Sequence, residues 1–131
     1  MNDYAKAFQK NFEKSKEQKM QDKKELVLIW EKGLNQLLDK LKERVLEGYN
    51  CCLVPEECTD IVVYFVMCTK DQGSSWLRHD FTKNEILAIH ESFVDKCKET
   101  FGAKPDFEKT VIKWKCNLIP EFNPKYGDLD L

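Results

Sequence analysis

ELVLIWEKGLNQLLDKLKERVLEGY, residues 25–49, decides how this chain folds. Val27, Trp30, Leu34, Leu37 and Leu41 recur at alternating steps of three and four, and Leu38 and Val45 widen the stripe. Lys32, Asn35, Asp39, Lys42, Glu43 and Glu47 fill the remaining positions, so the stretch reads as an amphipathic helix. The repeat lasts about three heptads, the lower limit for a coiled coil. Two readings follow: a helix packed on its own domain, or a seam between two copies. Gly33 costs the helix interior about 1 kcal/mol relative to Ala and marks a place where a neighbour comes close. Gly48 supplies the left-handed stop.

Upstream, residues 1–24 are rich in Lys, Glu and Gln and hold neither Pro nor Gly. Tyr4, Phe8 and Phe12 step by four and form a thin aromatic stripe, while Met20 is the only strong apolar residue between Glu13 and Lys24. Good helix propensity with little apolar surface predicts a charged helical arm that frays toward its start. Such an arm would offer Tyr4, Phe8 and Phe12 to a partner groove.

Downstream, Asn50–Asp60 reads as a loop carrying Cys51, Cys52 and Cys58. The run from Ile61 to Thr69 is β-branched and aromatic and predicts a central strand covered on both faces. Turn residues at 70–75 and the alternation over Trp76–Phe81 predict a returning strand. Thr82 and Glu85 match a capping box that opens a helix burying Ile86, Ile89, Phe93 and Cys97, stopped by Gly102 and Pro105. Phe107–Leu118 supplies a third strand, with Ile112, Trp114, Cys116 and Leu118 inward. The expected fold is α+β: a long N-terminal amphipathic helix, then β-β-α-β in a small three-stranded sheet with helices packed on one face. Residues 1–24 form the arm, 25–119 a single domain and 120–131 an extended tail.

Composition narrows the function classes. Of 131 residues, 42% are hydrophobic and 34% charged, which is ordinary globular chemistry. Residues 1–50 carry 11 basic and 9 acidic groups, 51–80 carry 2 and 5, and 81–131 carry 8 and 9, so no third of the chain announces nucleic acid or an anionic membrane. The polar start lacks a signal-peptide core and the longest apolar run has 8 residues, which predicts a cytoplasmic or nuclear protein, not secreted and with no membrane partner.

Cys51, Cys52 and Cys58 lack the paired Cys-x2-4-Cys spacing of structural zinc, so neither metal nor cofactor is expected. A cysteine nucleophile would need His79 or His90 beside a loop thiol, and nothing in the local sequence lowers a thiol pKa. No catalytic residue is assigned. Gln72-Gly-Ser-Ser75 holds one glycine and is a turn, not a phosphate loop. Asn123-Pro-Lys-Tyr126 and the terminal Leu129-Asp-Leu131 are short tail motifs that ordinary turns explain. Trp76, Arg78, Lys113 and Lys115 could share a sheet face and stack and neutralise a single strand, the alternative reading. The α-β-β-α-β order resembles one arrangement of the KH domain, but that class clamps its ligand with a Gly-x-x-Gly loop, which is absent here. The leading expectation is a non-enzymatic adaptor or assembly module with a protein partner. It would be a homodimer if Val27, Trp30, Leu34, Leu37 and Leu41 form a seam.

Overall fold

The computed structural model describes residues 3–70, 77, 81–109 and 114–118. One helix, α1 (Asp3–Leu46), runs through both the charged arm and the amphipathic stretch without a break. Its 44 residues span about 66 Å at 1.5 Å per residue. Helix-spaced side chains stitch the arm to the rest: Gln18 donates to Asp22 at 2.9 Å and Gln21 to Glu25 at 3.3 Å. The end is a Schellman turn. Gly48 sits at φ 92°, its N–H bonds the carbonyl of Val45 at 3.0 Å, and Tyr49 N–H bonds that of Arg44 at 2.8 Å. Arg44 then reaches over the Tyr49 ring at 3.7 Å and donates to the carbonyl of Cys51 at 3.1 Å, tying the helix end to the first strand.

That strand, β1 (Cys51–Leu53), lies in the stretch expected to be a loop. After a 3-10 turn at Glu56–Cys58, the chain enters α2 (Thr59–Thr69). This corrects the strand expected over Ile61–Thr69. An uninterrupted apolar run has no period by which to tell a buried helix from a buried strand, so its β-branched content misleads. The run is apolar all round because it is enclosed all round: Ile61, Val62, Tyr64, Phe65, Val66 and Cys68 are all buried. Thr59 and Thr69 bond back to the carbonyls of Pro55 at 3.2 Å and Phe65 at 2.6 Å.

The strand expected over Trp76–Phe81 falls mostly outside the described residues, and Leu77 and Phe81 belong to no strand. The next helix, α3 (Lys83–Phe101), is as expected. Thr82 and Glu85 form the reciprocal capping box, and Gly102 closes the helix in the left-handed region at φ 70°. The single strand expected over Phe107–Leu118 is two, β2 (Asp106–Lys109) and β3 (Trp114–Asn117), paired antiparallel with Phe107 opposite Cys116. β3 also pairs with β1, Cys52 opposite Cys116, giving the order β1-β3-β2. The fold is therefore α+β with a three-stranded antiparallel sheet, but its order is α-β-α-α-β-β.

The core gathers where α2 crosses the sheet. The Phe65 ring lies 5.3 Å from Phe107, and Phe93 from α3 lies 5.9 Å from the same ring. On the other side Trp30 meets Tyr64 edge-on at 5.8 Å and Phe81 at 4.8 Å. Lys70 at the end of α2 donates to the outward carbonyl of Phe107 at 3.0 Å, anchoring the helix to the edge strand β2.

Candidate functional site: the exposed ridge of the first helix

The two halves of α1 have opposite fates. Trp30, Leu34, Leu37 and Leu41 are 1%, 5%, 0% and 0% exposed, and Val27 is half-buried against the same cluster. These five residues are the ones that would form a seam between copies in one of the two readings of the stripe. Their own chain covers them instead, and four of the five have nothing left to offer a partner. An amphipathic stripe reports which face is buried, not what buries it.

Every residue from Asp3 to Asp22 is exposed. Tyr4, Phe8 and Phe12 are 86%, 73% and 61% exposed, and the Phe8 and Phe12 rings stack on each other at 6.5 Å. Scattered exposed apolar residues are ordinary, but a continuous row of large ones is a recognition feature. Met20, Leu28 and Ile29 are also more than half exposed. Met20, Lys23, Lys24, Val27 and Leu28 line an open, mostly apolar cleft of about 550 Å³ closed on its far side by Glu85 of α3. Lys23 and Glu85 fix the cleft wall through a 2.7 Å ion pair, and Lys23 also lies 4.8 Å above the Phe81 ring. The hydrogen bond from Lys23, with those from Thr82, holds the Glu85 carboxyl below its ordinary range. Farther along, Lys96 of α3 donates to Asn35 of α1 at 3.4 Å, so polar links join the two helices at both ends of a shallow slot floored by Leu34, Ile89 and Phe93.

The sequence singled out Tyr4, Phe8 and Phe12 but not Met20, Lys24 and Leu28. No single-face period links them to Phe8, because at about 3.6 residues per turn Leu28 lies roughly on the opposite side of the helix.

Trp76, Arg78 and Lys113 lie outside the described residues, as does His79. Lys115 is on β3, half-buried between Leu53 and Glu108. All six thiols are free and buried. Burial pushes Cys52, Cys58 and Cys97 up to about 12 and Cys116 well above its ordinary value, the reverse of what a nucleophile needs. His90 is held 5.0 Å from Phe65 and 6.0 Å from Phe107, and burial lowers its proton affinity, so it serves as a ring at the core's edge. Among the described residues no group of three or more His, Cys, Asp or Glu could hold a metal ion. No described helix is long and apolar enough to cross a membrane.

No known protein family matches the chain, and no curated protein or solved structure matches it either.

Proposed function

We propose that this protein is a non-enzymatic interaction module that engages a protein partner through the free half of α1. One observation carries the reading. A helix anchored by four buried residues extends another 20 residues, about 30 Å, with an aromatic row exposed along it. An isolated helix of that length is marginal in water, so the anchored half pre-organises the arm and lowers the ordering cost of docking. Large apolar side chains one turn apart, as Tyr4, Phe8 and Phe12 are, are anchors by which an amphipathic helix enters another protein's groove.

A photo-reactive residue placed at Phe8, and separately at Glu17 on the opposite face, tests the reading in cells. The expected result is a discrete adduct from position 8 and none from position 17. Equal labelling from both positions, or from neither, would contradict a docking face on the arm.

A further inference from the structure

We propose that Cys52 and Cys116 are a peroxide-sensitive pair whose reversible disulfide locks β1 to the centre of the sheet. The two cysteines stand directly opposite each other in the antiparallel ladder. Val54 N–H donates to the carbonyl of Trp114 at 3.2 Å, and Leu118 N–H to that of Asn50 at 3.1 Å. Two residues inward from each of those pairs, Cys52 and Cys116 share backbone bonds in the same way, which sets their Cα atoms about 5.5 Å apart. A disulfide spans roughly 4.4–6.8 Å between Cα atoms. Opposed residues project from one face of a sheet, here the face packed into the core, where Cys52 is 3% and Cys116 0% exposed. Their Cβ atoms, about 5 Å apart, must draw in by about 1 Å to bond, and a disulfide closed under strain is readily reduced again.

Position in the fold selects this pair. β1 is three residues long and lies at the edge of the described sheet, paired with β3. Such a strand opens locally at far less cost than the core. While it is closed, both thiols are sealed and inert. When it frays, Cys52 meets water and ionises as an ordinary thiol, while Cys58 in the 3-10 turn and Cys97 within α3 stay covered. The Cys52 thiolate attacks the peroxide: an S–O bond forms, the O–O bond breaks, and the departing hydroxide takes up the thiol's proton as water. Reclosure brings the sulfenic acid back against Cys116. The Cys116 sulfur attacks that of Cys52, the S–S bond forms and the S–O bond breaks. The leaving hydroxide takes the Cys116 proton, so two thiols reduce one peroxide to two waters. Cys51 is the internal control. It is buried on the same strand but faces Asn117, so its sulfenic acid would meet no thiol across the ladder.

The test treats the folded full chain with hydrogen peroxide, caps the remaining thiols under denaturing conditions and maps the peptides by mass spectrometry. Of the six cysteines, two should escape capping, joined as Cys52 to Cys116 within one chain, and a thiol reductant should restore them. The bridge closes the long loop between these positions, so the oxidised protein should melt roughly 5 °C or more higher. Cys116→Ala should leave Cys52 as a sulfenic acid that dimedone traps, and should abolish the rise in melting temperature. Cys51→Ala should keep both the bridge and the rise. The bridge is read directly in the wild-type chain, so a variant that fails to fold cannot imitate its absence. Six capped thiols after peroxide overturn the proposal, as does a bridge between other cysteines or between chains. A bridge without a gain in melting temperature overturns the lock. Oxidation of Cys97 as fast as Cys52 overturns it too, because the opening would then be of the whole core and not of β1.

Discussion

The double variant Leu34→Asp with Leu41→Asp is expected to be unfolded, not a folded monomer. A seam between two copies would release a soluble half-assembly when charged, but both side chains lie inside the chain, at 5% and 0% exposure. Truncating a buried Leu to Ala costs about 2–5 kcal/mol, and a carboxylate in the same place adds the cost of removing a charge from water. Two such sites together match or exceed the roughly 5–15 kcal/mol that holds an ordinary domain together. Urea titration followed by circular dichroism should show no cooperative transition. Leu46→Asp, on the same helix but 88% exposed, should unfold within about 0.5 kcal/mol of wild type. A cooperatively folded double variant at half the wild-type mass would restore the seam and refute the fold described here.

Gly33→Ala should destabilise the protein although Ala is the better helix former. In an exposed helix interior that exchange gains about 1 kcal/mol. Here an added Cβ would stand 2.8 Å from Cβ of Cys58, 3.0 Å from its backbone nitrogen and 3.1 Å from the carbonyl carbon of Glu57. Two of those three atoms are backbone of the 3-10 turn, which Pro55 and the Cys58 N–H→Pro55 bond of 3.2 Å hold in place. The turn cannot yield as the tip of a flexible side chain would. Overpacking of this kind costs about 1–3 kcal/mol, enough to reverse the propensity gain. The measured difference in unfolding free energy should therefore be a loss, while Ser15→Ala on the exposed arm should be neutral or slightly stabilising. A stabilised Gly33→Ala protein would mean that α1 and the 3-10 turn are farther apart than described.

Legibility in the sequence followed the range of each signal. The stripe from Trp30 to Leu41, the Thr82–Glu85 capping box and the Gly102 stop are local patterns, and each fell where expected. The run from Ile61 to Thr69 misled because only its neighbours decide between helix and strand, and they are α1, α3 and the sheet. β1 went unread because three residues beginning Cys51-Cys52 are too short to show alternation. The hairpin of β2 and β3 was merged into one strand because the alternation of Ile112, Trp114, Cys116 and Leu118 was extended back to Phe107 without a turn. Charge counted over residues 1–50 blurs the basic arm only slightly, since residues 3–24 carry a net of +3 and residues 25–50 a net of −1. The choice between seam and core was left open by the sequence. A stripe looks the same whichever surface covers it.

The division of α1 is the claim on which everything else depends, and amide hydrogen exchange of the free chain tests it most directly. Amides around Leu34, Leu37 and Leu41 should be protected up to the free energy of global unfolding, because they open only with the core. Amides of residues 3–22, in a helix half whose residues are all exposed, should exchange far faster. That gradient within one continuous helix would establish an anchored half and a half open to a partner. Equal protection along the whole of α1 in the free chain would mean that the aromatic row is already covered, and the account would be wrong.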